Sequence, residues 1–251
     1  MRVLATFALA AEFAPWRKLG GFEAEKWGDV PVHRKRRDGI EWIVALTGAG
    51  PENAGRAARQ ALERETFDLV ISTGLIGALR GEDRPGTVLV ARRVIRLEDG
   101  REIEPAGEWV ERAVEQGARE AVFGTSRRVA VTAAEKRKLA TTADAIEMES
   151  FAVIEAALTR PVEAAAIRAV SDAAETELPV DFNQAFDAKG RLRSGRLAAE
   201  VARRPAALGG LLRLGRDSRR AAGILAEFLE RYVRATRETR SGESAGNGFR
   251  E

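Results

Sequence analysis

The sequence predicts an α/β protein: a single domain of three layers, α/β/α, around a central mixed sheet, with a helical extension at the C-terminal end. Three observations carry that expectation. Short apolar runs rich in Val, Ile and Thr recur along the first 170 residues and end at Gly, Ser or Asp, as buried strands do. Helical patterns with one apolar face lie between several of them. The 251 residues, 45% hydrophobic and 31% charged, suit one large domain with a buried core.

The N-terminus, "MRVLATFALAAEF" (1–13), which holds the first run "RVLATFAL" (2–9), resembles the apolar part of a signal peptide. It lacks a convincing cleavage site and turns amphipathic at once, so a first core strand is the better reading. "WIVALTG" (42–48), "DLVISTG" (68–74), "TVLVARRVI" (87–95), "RVAVT" (128–132) and "VEAAAIRAV" (162–170) supply further strands. "WGDVPVHRKRRDGIEWIV" reads as an antiparallel excursion turning at Asp38-Gly39. Helices are expected over "PENAGRAARQALERE", opened by Pro51, over "EWVERAVEQGARE" and over "ESFAVIEAAL". After Asp172 the pattern becomes loop-like. From about Leu197 to Arg237 it is helical, with interruptions expected at Pro205 and Gly209-Gly210. The domain proper is expected over 1–190, the basic helical extension over 191–238, and a disordered, Gly/Ser-rich tail over 239–251.

Composition excludes several functions. There is no cysteine, so disulfides and thiolate metal sites are ruled out. The single histidine, His33, sits in the basic stretch "VHRKRRDG" and is expected to be exposed and non-catalytic; no site needing two imidazoles can form. No metal pattern and no cofactor motif is present. No stretch reaches the ~18 apolar residues of a membrane span, so the expected location is cytoplasmic. The net charge is +3, yet residues 191–240 carry thirteen arginines against five acids. The plain reading of that block is a solvated basic face on a packed helix. The functional reading is a surface that meets anionic lipid at the inner face of the membrane. Nucleic acid is not an expected partner.

Open α/β sheets bind ligands beyond the carboxyl ends of their strands. The residues that follow each run are therefore the candidates: Glu12, the turn Thr47-Gly48-Ala49-Gly50, the turn Thr73-Gly74-Leu75-Ile76-Gly77, the segment from Ala133, the triplet Glu147-Met148-Glu149, and Ser171-Asp172. Each also has a plainer reading. Glu12 could be a first-turn acid facing solvent, Glu149 an acid favouring a helix start, and Asp172 a helix N-cap.

Taken together, "LAAEF", "TGAGPENA", "STGLIGAL", "IEMES" and "IRAVSDAAE" resemble, in order, the motifs of the nucleoside phosphorylase/nucleosidase superfamily. The similarity is to the branch that contains methylthioadenosine/S-adenosylhomocysteine nucleosidase, futalosine hydrolase and the hopanoid-associated enzymes, and it runs from Met1 to about Phe186. The later stretch, "LP…F…GRL…RRP…LLRLGRDSRRA", resembles the C-terminal extension of the hopanoid-associated members. The resemblance implies a phosphorylase-like fold and cleavage of the N-glycosidic bond of an adenine nucleoside, with adenosylhopane as the expected substrate. The alternatives are methylthioadenosine or S-adenosylhomocysteine hydrolysis, phosphorolysis, and a nucleoside-binding module without turnover.

By the same resemblance, Asp172 protonates the departing adenine at N7 and Ser171 orients it. Glu149 accepts hydrogen bonds from the ribose hydroxyls, Met148 packs on the sugar, and Glu147 stands nearby. Glu12 activates the attacking water. Gly48, Ala49, Gly77, Ala133 and Phe182 complete the expected substrate site, and a homodimer or larger homo-oligomer is implied. The sequence departs from the pattern at Leu75, where a small polar residue is usual. It also lacks a clear counterpart to the purine-stacking phenylalanine in "VTAAEKRKL".

Overall fold

The computed structural model describes the backbone of residues 1–246 and the side chains of residues 1–235. Ten strands form one mixed sheet. Its order begins at β10 (Glu163–Asp172), β6 (Val88–Arg96), β8 (Arg119–Thr125), β9 (Ala145–Glu147) and β5 (Leu69–Ala78). It continues through β1 (Arg2–Phe7), β4 (Ile40–Leu46), β3 (Val30–Arg37) and β2 (Glu23–Trp27), with the short β7 (Glu102–Ile103) paired to β6. β10 also pairs β5 in parallel, so the sheet curls back on itself into a small barrel at that end. The barrel closes the β5 and β10 edges and brings their C-terminal residues into register, with Gly77 opposite Asp172.

Helices cover both faces. On one side α2 (Pro51–Arg64) and α5 (Ser150–Ala157) bury Ala54, Ala58, Phe151 and Ile154 against Leu4, Ile43 and Val70. On the other, α1 (Ala10–Lys18), α3 (Gly107–Glu115) and α7 (Ala207–Gly246) bury Phe13, Trp16, Trp109, Leu225, Phe228 and Tyr232 against Val3, Trp42 and Val90. This is the expected three-layer arrangement. The C-terminal helix is one of its layers from Ala221 onward. Tyr232 donates to the Trp109 carbonyl at 2.7 Å, and Glu230 accepts from Trp16 Nε1 at 2.6 Å and pairs with the buried Lys35.

Several elements differ from the sequence expectation. His33 is buried. β3 is covered on both faces, so His33 meets the Phe13 ring at 5.0 Å between centroids while Val32 faces the opposite core. Burial holds its pKa below the usual value, with the Arg17 charge acting the same way. "RVAVT" is not a strand: it is a loop running into α4 (Ala133–Leu139), its backbone paired with Leu178 and the Asn183 side chain. The strand in that region is β8, "REAVFGT", whose first residues looked helical. Helix α3 stops because Gly117 takes φ +95° and the amides of Gly117 and Ala118 cap the carbonyls of Val114 and Ala113.

β5 does not end at the "STG" turn but runs on to Ala78, with Gly74 at φ +138° inside it. Helix α6 (Ser194–Arg203) breaks before Pro205 as expected, and it buries none of its side chains. α7, in contrast, runs unbroken through Gly209-Gly210 and continues to Gly246. Of the tail expected from residue 239, the last five residues lie outside the described part of the chain. No described helix is long and apolar enough to cross a membrane.

Candidate active site

One cleft gathers the candidate residues, because five segments end at it. β1 feeds α1, whose first turn holds Glu12. β4 feeds the loop with Ala49. β5 contributes Leu75, Ile76 and Gly77. β9 leads into Glu147, Met148 and Glu149, and β10 ends at Ser171 and Asp172. All of these side chains or backbones line the same cavity, together with Ala8, Leu9, Val129, Ala130, Lys136, Leu178 and Phe186.

Glu12 is the third residue of α1, and its carboxylate folds back on the start of that helix, accepting from Leu9 N–H at 2.9 Å. Its other oxygen accepts from Leu75 N–H at 3.1 Å. A first-turn acid facing solvent is therefore excluded: Glu12 is only 9% exposed. The carboxylate lies against Gly74, where an added Cβ would stand 3.1 Å from either oxygen, so this stretch of β5 suits glycine by space as well as by φ. Burial raises the Glu12 pKa above the ordinary carboxylate value, against the nearby Arg168 charge and the backbone donors.

Glu149 occupies the N-cap position of α5 but does not cap it. One oxygen accepts from Gly50 N–H at 2.9 Å and the other from Arg168 Nη2 at 3.1 Å. Burial pushes its pKa up to about 7, helped by the charges of Glu147 and Glu12 and opposed by Arg168. Glu147 is fully engaged. It accepts from the amides of Glu149 and Ser150 at 2.8 Å each, from both the Ser150 and Thr125 hydroxyls, and pairs with Arg168 at 2.8 Å. Its carboxylate fixes the turn that presents Met148 and Glu149 to the cavity.

Asp172 is not a helix N-cap: it closes β10, and turn and loop follow it. A bulge between Val170 and Asp172 brings Ser171 to the same cleft, where its hydroxyl lies 2.5 Å from Asp172 Oδ1. The other oxygen, Oδ2, takes Lys136 Nζ.

Two buried cations of the site were not among the sequence candidates. Arg168, 1% exposed in the middle of β10, joins the site from beneath. Besides both glutamates it donates to Leu75 O at 3.0 Å and to the Ser72 and Ser150 hydroxyls at 3.2 Å each. Its signal was visible as the one charge inside "AAAIRAV", since a strand buried on both faces tolerates a charge only when acids or polar groups meet it. Burial acts to lower its pKa, but the three carboxylates outweigh that and raise it. Lys136, 1% exposed on α4, gave no such signal, because "EKRKL" reads as a solvated basic run.

Other candidates lie near the cleft without lining it. Phe182 is half-buried in a short 3-10 turn, and Phe186, four residues on, lines the cavity. Ala133 is buried at the start of α4, one turn from Lys136. Gly48 lines a second, adjoining cavity that shares Ala8 and Leu9 with the first and continues past Ala10, Ala11, Val30, Pro31, Leu46 and Leu192, with Arg56, Lys189 and Arg191 among its lining residues. No group of three or more metal-ligating side chains occurs among the described residues.

A mixed sheet closed at one end, with Glu12, Glu149 and Asp172 converging on a cavity where its strands terminate, is an arrangement suited to holding a small polar molecule. Residues 28–203 match the Phosphorylase superfamily model, and the chain belongs to that family. A 77-residue stretch is 32% identical to 5′-methylthioadenosine/S-adenosylhomocysteine nucleosidase of Maridesulfovibrio salexigens, covering 31% of this chain and about a third (33%) of that relative. Among solved structures, a mutant of futalosine hydrolase of Helicobacter pylori superposes with a TM-score of 0.73 at 17% identity, covering 94% of this chain and 99% of that one. A mutant of the Helicobacter pylori methylthioadenosine nucleosidase with 5′-methylthioadenosine in its active site gives 0.72 at 18% identity, covering 93% and 98%. At these identities the structural likeness establishes the fold.

Proposed function

We propose that the protein hydrolyses the N-glycosidic bond of an adenine nucleoside. The observation that carries this reading is the convergence of Glu12, Glu149 and Asp172 on one cleft from three different segments. Breaking a ribosyl–adenine bond builds positive charge on the sugar and negative charge on the base, so the reaction calls for an acid at the base and carboxylates at the sugar. Asp172 with Ser171 serves as the acid. Glu149 accepts from the ribose hydroxyls, with Met148 against the sugar. Glu12, buried and held by two backbone amides, takes the proton of the attacking water.

Water rather than phosphate is favoured because Arg168, the buried arginine of the site, already spends its donors on Glu147, Glu149, Leu75 O and two serines, while Arg128, the arginine that lines the cavity, is exposed. As substrate we propose a nucleoside with a bulky apolar 5′ group, adenosylhopane in hopanoid synthesis. The support is the similarity of the C-terminal stretch and the largely apolar second cavity beyond Leu9. Peripheral membrane contact fits the exposed Leu208 and Leu212 among the arginines of α7. A homo-oligomer remains part of the proposal on family grounds alone.

The test is adenine release, read by chromatography, from adenosylhopane and from 5′-methylthioadenosine, each with and without phosphate. Release from the hopanoid alone supports the lipid reading. Release from methylthioadenosine alone replaces it with the thioether nucleosidase activity. A phosphate requirement removes the water-activating role of Glu12. Binding without release, unchanged in Asp172→Asn, identifies a nucleoside-binding module. Co-sedimentation with anionic liposomes at low salt tests the membrane surface.

A further inference from the structure

The arrangement around Asp172 raises a question about the source of the proton. Its Oδ1 lies against the Ser171 hydroxyl at 2.5 Å, and its Oδ2 against the Lys136 ammonium. Oδ2 thus faces an obligate donor, whereas the Ser171 hydroxyl, which also has Ile76 O at 3.3 Å as an acceptor, can either donate to Oδ1 or accept from it. A group meant to protonate a leaving base must hold a proton, and in this site that proton has to reach a residue only 8% exposed. Lys136 is itself 1% exposed, too deep for a lysine whose task is to solubilise a helix. Apart from Asp172 its Nζ donates to Ala173 O at 2.8 Å. An ammonium has three N–H groups, and Lys136 is among the residues that line the cavity.

Resting on the nucleosidase reading above, we propose that Lys136 is a positioning and proton-supplying residue that acts through Asp172. As the N9–C1′ bond breaks, its electron pair passes into the base. Lys136 Nζ passes a proton to Asp172 Oδ2, and Asp172 passes a proton to N7. Water adds to C1′ and its proton goes to Glu12. The base leaves neutral, Lys136 is left as the amine and Glu12 as the acid, and exchange with solvent restores both. The alternative is a purely structural pair, in which Lys136 only cancels a buried charge.

A leaving group that needs no protonation separates the two. Lys136→Met and Lys136→Gln are assayed on the adenine nucleoside that the wild type turns over and on 4-nitrophenyl β-D-ribofuranoside, with KM and kcat determined separately. Proton supply predicts a fall of about 10²–10⁴-fold in kcat for the nucleoside, with KM little changed and nitrophenyl release within about three-fold of wild type. Nitrophenyl release by the same preparation also shows that the variant is folded. Equal loss on both substrates, or full activity on the nucleoside, overturns the proposal while leaving the nucleosidase reading intact. A wild type that releases no base from any nucleoside removes that reading and this inference together.

Discussion

Arg168 places one nitrogen, Nη2, 2.8 Å from Glu147 and 3.1 Å from Glu149. The single cation lies beneath two acids that a short loop holds side by side. This is what lets the chain send "EME" into its interior. Glu147 is used up in fixing the turn, Arg168 offsets the charge, and Glu149 remains at the cavity with only two of its acceptor sites filled.

Removing the cation should therefore be costly. Arg168→Met keeps an unbranched apolar side chain in place of the arginine stem, but two buried carboxylates lose their counter-charge and Leu75 O loses a donor. We expect a loss of about 3–5 kcal/mol in unfolding free energy, read by urea denaturation at pH 7.5. The deficit should shrink at pH 5, where Glu149 is protonated. A deficit that is independent of pH would point to lost packing instead.

The pH dependence of the wild type follows from the same group. Glu149 titrates near 7 in the folded protein against an ordinary value of 4.5. A carboxyl whose pKa is raised by folding contributes its stability below the unfolded value and loses it as pH rises through the folded one. Stability should fall between pH 5 and pH 8, by an amount on the order of 1–3 kcal/mol. Glu149→Gln keeps the shape, cannot ionise, and should flatten that fall. Thermal unfolding of both proteins across this range is the measurement; parallel curves would show that another group is responsible.

On the proposed reaction Glu12 must be ionised to take a proton from water, and its pKa is raised by burial. The acid limb of kcat/KM should consequently lie above 4.5, with activity lost on going to lower pH. Glu149 shifts the limb in the same direction if its ionised form holds the ribose. Glu12→Gln should lose at least about 10²-fold in kcat at every pH while keeping the wild-type melting temperature within a few degrees. A limb at or below 4.5 would contradict the buried base.

The sequence made the layers and the three carboxylates legible for one physical reason. Buried strands advertise themselves by Val, Ile and Ala runs, and an acid directly after such a run has few places to go but the rim. Tertiary pairing hid the rest. "REAVFGT" looks like the end of a helix until Gly117 closes α3 and β6 and β9 claim its backbone. "VHRK" looks exposed until α1 and α7 cover the second face of β3, and α7 comes from nearly two hundred residues away. Lys136 was illegible for the same reason: its partner Asp172 lies 36 residues further on.

The glycine turn offers a final test of how the cleft is closed. Gly48 has φ +81°, and a Cβ there would stand 2.1 Å from Lys189 O; an added Cβ on Gly190 would stand 2.2 Å from Ala49 O. Two backbones from distant parts of the chain are in direct contact, tied by Ala49 N–H donating to Gly190 O at 2.9 Å. Ala49 lines the cavity and Gly50 N–H holds Glu149, so this contact positions two parts of the site. Gly48→Ala combines left-handed strain with a backbone clash that no rotamer can relieve. It should cost at least about 2 kcal/mol, or roughly 4–8 °C in melting temperature for a chain of this size. Gly20→Ala is the control: its φ is +86° but nothing lies within 4 Å of the added atom, so it pays for strain alone, about 1 kcal/mol. Because the displaced loop carries Ala49, Gly48→Ala should also raise KM, which Gly20→Ala should not. Equal melting shifts for the two variants would mean that the 187–190 loop yields freely and does not hold the cleft in shape.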